Sequence, residues 1–232
     1  MDMGDHLLPG NPPIALTLRR SPRARRISLR VSGLDGGVTL TVPRGVEDAE
    51  ALHFARDKAA WLRRQLAARP DVVTVEAGVE IPLGGQKTRI ACVPGRGVRH
   101  DGRALLVPGP EETLPARLRA WLRETARDRL AAASDRYSTQ LGRRYSRLSL
   151  RDPRSRWGSC SDAGGLMYSW RLVMAPPDVL DYVAAHEVAH LAEMNHSPAF
   201  WANVERLKPG FEEPRQWLRR HGAGLHRYRF GK

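Results

Sequence analysis

The sequence predicts an α+β protein, with a β-rich N-terminal region over residues 1–110 and a mostly helical domain over residues 111–232. Two patterns carry this. Short β-branched and aliphatic runs broken by glycine dominate the first part, whereas apolar stripes at helical spacing and helix caps dominate the second. At 232 residues and 41% hydrophobic, the chain is also long enough to bury a real core.

Residues 14–18, 27–31 and 38–42 read as strands, and Gly33, Asp35, Gly36 and Gly37 mark a hairpin turn between the second and third. Residues 47–66 switch to helical spacing, with Leu52, Ala55, Ala59, Leu62 and Leu66 on one stripe and Pro70 closing it. Strands resume at 72–75, 88–93 and 104–107, and 108–115 reads as a linker. Leu118, Leu122, Ala126, Arg129 or Leu130, and Ala133 then predict a long amphipathic helix reaching about Leu141. Two candidate strands, 148–150 and 166–170, flank a polar turn at 158–165. Pro176 and Pro177 open the next helix, because a missing N–H costs nothing in a first turn. Short helices near 198–207 and 213–220 follow, and Gly222 suits the end of the latter.

The net charge is +13, and all but Lys58, Lys87, Lys208 and Lys232 of the 38 basic residues are arginine. The excess is densest over residues 113–157, where the only carboxylates are Glu124, Asp128, Asp135 and Asp152. Such a surface is either a skew of composition or a field that attracts nucleic acid, nucleotides or acidic substrates. The longest uncharged stretch, residues 6–18, holds three prolines and falls short of the ~20 apolar residues a bilayer requires. The acidic, Pro-rich start does not read as a signal peptide, and two cysteines cannot staple a secreted scaffold. The expectation is a cytoplasmic protein without a membrane partner.

The chemistry concentrates in the segment His186-Glu187-Val188-Ala189-His190. Residues four apart share a helix face, so His186 and His190 can point two imidazoles at one metal ion. Glu187 lies where its carboxylate can reach a metal-bound water without ligating the ion. At this composition chance gives on the order of 0.01 copies of H-E-x-x-H. Two residues compete for the third ligand. Glu193 stays on the same face if the helix continues; His196 is reached only if it ends. Asn195 tolerates the left-handed conformation that ends helices, and Ser197-Pro198 reads as the cap and first position of a new one. That favours His196.

These residues, with Asn195-His196-Ser197 and Phe200-Trp201, resemble the YgjP-like metallopeptidase domain, a family related to the SprT-like zinc proteases. The resemblance extends upstream through Arg156-Trp157-Gly158-Ser159-Cys160-Ser161 and Trp170-Arg171-Leu172, and downstream through Pro209 and Trp217-Leu218. Arg25 to Val31 and Lys58-Ala59-Ala60-Trp61-Leu62 resemble its N-terminal segment. It implies a zincin-like fold, Zn²⁺ held by His186, His190 and His196, and Glu187 as the base.

Other positions carry weaker expectations. Cys160 reads as a small residue in a tight turn beside the site, and Trp157, Trp170 and Trp201 as core aromatics. The strand near 166–170 is a candidate edge for pairing with an extended peptide. Tyr168, Tyr182 and His221 are open alternatives for stabilising an oxyanion. The overall expectation is a zinc-dependent hydrolase, most simply a metallopeptidase acting on peptides or proteins. Two alternatives stand beside it: a nucleoside triphosphate hydrolase, although no Gly-rich phosphate loop is present, and a protease that docks on nucleic acid through its Arg-rich helix.

Overall fold

Alternation of apolar and polar residues in its inner strands builds the first sheet of the fold in the computed structural model, which describes residues 3–32, 36–67 and 71–231. The chain divides into two units, Met1–Asp71 and Val72–Lys232.

In the first unit β1 (Met3–Leu8), β2 (Ile14–Arg20), β3 (Ser28–Val31) and β4 (Val38–Val42) form one sheet in the order β1-β2-β4-β3. Every second residue of β2 and β4 is buried (Ile14, Leu16, Leu18; Val38, Leu40, Val42) against Ala51, Ala55 and Leu62. The hairpin between β3 and β4 is present, with Val31 opposite Val38. Gly33 and Asp35, expected in its turn, and Pro70, expected to close the helix, lie outside the described residues. The single helix expected over 47–66 is two, α1 (Asp48–Asp57) and α2 (Ala59–Ala67). Lys58, at φ −92° and ψ 3°, leaves the helical basin between them. Strand β1 was not anticipated. It is an edge strand in which Leu8 is buried while its neighbour Leu7 is exposed and Asp5 and His6 are polar, so no alternation of apolar and polar residues marks it.

The second unit begins earlier than residue 111. Strands β5 (Val73–Thr74), β6 (Glu80–Leu83), β7 (Gln86–Val93), β8 (Arg99–His100) and β9 (Ala104–Pro108) precede a 3-10 turn, Glu111–Thr113, that runs directly into α3 (Leu114–Leu141). Four of these strands form a sheet, β6-β7-β9-β8. Ile81, Ile90, Leu105 and Val107 share one core with Leu114, Leu118 and Leu122. The shift in pattern near 110 therefore marks a change of secondary structure inside one core, not the domain boundary the sequence suggested. Helix α3 buries one row at three- and four-residue spacing, and Gly142 (φ 71°) ends it in the left-handed conformation.

Next come β10 (Arg147–Arg151), β11 (Gly158–Cys160) and β12 (Gly165–Ser169), in the order β10-β12-β11. The polar turn expected over 158–165 thus contains a strand, which its Gly-Ser-Cys sequence hides. Strand β12 is central, so residues 166–170 cannot be a free edge; the edge strands are β10 and β11. A buried 3-10 segment, Trp170–Met174, leads to α4 (Pro177–Ala189), α5 (Pro198–Leu207) and α6 (Glu212–His221). Gly222 follows α6 in the right-handed region, contrary to its expected role as a left-handed stop. Its missing side chain matters for packing instead, since a Cβ there would lie 2.9 Å from Cζ2 of Trp157. The chain closes with β13 (Tyr228–Arg229), parallel to β5. The buried Arg171 guanidinium ties the tail down, donating to both Asp152 carboxylate oxygens (2.7 and 3.1 Å) and to the carbonyls of Leu225 and Tyr228. The result is an α+β fold, β-rich first and helical later. Among the described residues no helix is long and apolar enough to cross a membrane.

Candidate metal centre

Helix α4 runs through the core with its residues buried on nearly every side, so its C-terminal end delivers His186 and Glu187 into a largely dry site. The helix stops at Ala189, with His190 as its cap. Leu191 N–H donates to Val188 and Ala192 N–H to Ala189, closing tight turns that carry the chain away from the axis. Asn195 takes part in a different way from the one expected. No non-glycine residue has a positive φ among those described; the Asn195 Oδ1 accepts the Ser197 N–H at 3.0 Å. Ser197 then caps α5, accepting the Phe200 N–H at 3.2 Å. The two short-range bonds place His196 facing back toward α4.

His186, His190 and His196 each offer a ring nitrogen, and the three lie within 4.8 Å of one another. The Nε2 atoms of His186 and His196 are 3.2 Å apart. His190 Nδ1 sits 2.9 Å from the Glu193 carbonyl oxygen, an arrangement in which it donates there and leaves Nε2 to the cluster. Glu193 thus enters through its backbone, and its carboxylate is not among the grouped donors. Burial, then the neighbouring histidines, pushes His186 down to about 3; burial also lowers His190. Both imidazoles are therefore neutral near pH 7, the form that ligates a metal. His186 Nδ1 is buried without a hydrogen-bond partner. Three imidazoles, one of them oriented by a carbonyl, make a donor set that fits a divalent transition-metal cation.

Glu187 is 6% exposed, and burial pushes its carboxyl up to about 8, opposed by the charge of Arg156. Its carboxylate lies directly over Gly158. A Cβ at Gly158 would fall 2.5 Å from Oε1 and 2.6 Å from Cγ, so only glycine leaves room. Cys160, on the same face of β11, is held up at about 11 by burial and by Glu187, and so stays a protonated thiol.

The three rings share an aromatic floor. Phe200 stacks on His190 at 4.4 Å between centroids and meets His186 and His196 edge-on at 4.9 and 4.8 Å. Trp201 stands 5.7 Å from both His186 and His196, stacks on Phe211, and lies beneath the Arg215 guanidinium. It is thus a wall of the site as well as a packing residue, while Trp170 is core. Of the three oxyanion alternatives, Tyr182 is brought to the cluster, 5.8 Å from the His186 ring. Tyr168 is fully buried with its hydroxyl 3.0 Å from Ser134 Oγ, and His221 packs on Trp217 at the surface. Sequence reasoning did not assign the roles of Gly158, Phe200 and the Glu193 carbonyl. The first two stand inside motifs already singled out; the third, a backbone atom, leaves no mark in side-chain identity.

Comparison with known proteins adds three findings. A family model described as YgjP-like, metallopeptidase domain, matches residues 25–221. No curated protein matches the chain. Among solved structures it is similar to the crystal structure of the metallopeptidase zymogen of Pyrococcus abyssi abylysin, at 24% identity over 44% of this chain and 97% of that one, with a TM-score of 0.35.

Proposed function

Since the chain belongs to the YgjP-like metallopeptidase family, we propose that it is a zinc-dependent peptidase in which His186, His190 and His196 hold the metal and Glu187 is the general base. Family membership supplies the coarser part: a metal-dependent peptidase acting on peptides or proteins. The observation that carries the finer part is the convergence of three imidazole nitrogens within 4.8 Å beside a buried glutamate. When bound, the metal supplies Lewis acidity, lowering the pKa of a water and polarising a carbonyl.

The chain's own groups do the rest. Glu187 accepts the proton of the attacking water and returns it to the leaving amine. A carboxyl held near neutrality by burial is suited to move a proton in both directions. Gly158 fixes where that carboxylate lies. Strand β11 orients the substrate. Its Ser159 is opposite Met167, and the flanking bonds Ser169 N–H to Trp157 and Ser161 N–H to Gly165 show that odd-numbered residues pair with β12. The N–H and C=O of Gly158 and Cys160 therefore point to the open side, where an extended peptide can add as a further strand. Tyr182, close to the cluster, is the side chain proposed to hydrogen-bond the developing oxyanion.

The test is parallel profiling of the zinc-loaded protein on a peptide library and on nucleoside triphosphates. Cleavage of peptides, lost with a chelator and restored by zinc, is the expected result. Hydrolysis of triphosphates alone would overturn the reading.

A further inference from the structure

The sheet β10-β12-β11 has two faces. One carries Leu148, Leu150, Leu166 and Tyr168 toward the core and Gly158 toward Glu187. The other is open. Ser149, Met167 and Ser159 form a cross-strand row on it, since Ser149 and Ser159 both pair with Met167. That row floors a groove of about 390 Å³ to which Arg147, Arg151 and Arg156 contribute, with no carboxylate and no aromatic ring in its lining.

One arginine is aimed across the sheet. Arg147 lies opposite Gly165, and a Cβ there would fall 3.2 Å from Arg147 Nε and 3.0 Å from Ser161 Oγ. The bare glycine lets the guanidinium of β10 cross β12 toward the end of β11. Arg156, two residues before β11, lines the same groove, and its charge is felt at Glu187. Among the described residues, none of Arg147, Arg151 and Arg156 forms an ion pair with a carboxylate. Three unneutralised guanidiniums around one groove are a receptor for an anion.

We propose that this groove is a carboxylate-binding subsite, which makes the protein select peptides carrying Asp or Glu at the position whose side chain shares the face of Ser159. The proposal rests on the peptidase reading above. A peptide added to the open side of β11 continues the pleat, so every second side chain extends the Ser149–Met167–Ser159 row and comes beside Arg156 and the end of Arg147. A nucleic acid fits less well, because no aromatic side chain lines the groove to stack a base.

The test uses the full-length, zinc-loaded chain and peptide pairs that differ only by Asp against Asn at successive positions. At one position, or at two positions two residues apart, the Asp peptide should show about tenfold higher kcat/KM and, on the Glu187→Gln variant, about tenfold tighter binding by fluorescence anisotropy. The preference should fall with salt. In Arg147→Gln/Arg156→Gln, and partly in Arg151→Gln, the Asp/Asn ratio should approach one, whereas Arg119→Gln, on α3 outside the groove, should keep it. Cleavage with equal rates for Asp and Asn peptides overturns the subsite alone, as does a ratio unmoved by the double variant. Tighter binding of a single-stranded oligonucleotide that displaces the Asp peptide overturns it in favour of a nucleic-acid groove. Failure of the zinc-loaded wild type to cleave any peptide removes the peptidase reading and the subsite with it.

Discussion

Glu187 and Gly158 are two halves of one device, because the backbone of the second is the surface on which the carboxylate of the first rests. Glu187→Gln preserves shape but cannot accept a proton at neutral pH. It should keep zinc, measured by elemental analysis, while turnover falls about 10²–10⁴-fold; a variant retaining zinc and more than half the parent rate would remove Glu187 as the base. Gly158→Ala tests positioning. A methyl 2.5 Å from Oε1 must displace the carboxylate, so turnover should fall although no ligand or proton acceptor has been removed. Metal titration separates the rival ligands: His196→Ala should lose most zinc affinity, and Glu193→Ala should keep it, since Glu193 acts through its carbonyl.

At the scale of elements, the end of α4 and the start of α5 set the site. Ser197→Ala removes the cap that holds the first turn of α5 and should cost about 1 kcal/mol in denaturant unfolding. It should also weaken zinc binding, because His196 precedes that cap. This junction was largely legible in the sequence. Residues 186–190 fixed two imidazoles on one face, and Ser197-Pro198 marked the restart accurately. The means of turning was not legible: Asn195 suits a left-handed backbone but makes a side-chain turn instead. Elements with weak periodicity escaped too. Strand β1 buries Leu8 but leaves Leu7 exposed, and β11 is three small residues whose strand character comes from pairing with β12. Likewise, residues 108–115 looked like a linker because composition changes there, but burial of Leu105, Val107 and Leu114 in one core is a tertiary fact.

For the whole molecule, the buried titratable groups pull stability in opposite directions with pH. His186 at about 3 and His226 at about 4 lie below the ordinary 6.5, so the unfolded chain takes up their protons first and stability is lost as pH falls below 6.5. Glu187 at about 8 lies above the ordinary 4.5, so stability falls as pH rises from 4.5 toward 8. With His190 lowered in the same sense, three histidines oppose one glutamate, so the metal-free chain should be most resistant to denaturant near the ordinary histidine value, and a profile rising steadily through pH 8 would contradict this. Added zinc should raise the melting temperature, the gain growing with the logarithm of free zinc once the site is filled, and a chelator should reverse it. The contact of Trp201 with His186 and His196, at 5.7 Å, has a further consequence. Its indole is an emitter placed beside the proposed seat of the ion, so occupancy can be watched by light. A quenching ion such as Cu²⁺ should dim the chain's fluorescence stoichiometrically, and Trp201→Phe should abolish most of that signal while the other five tryptophans keep shining.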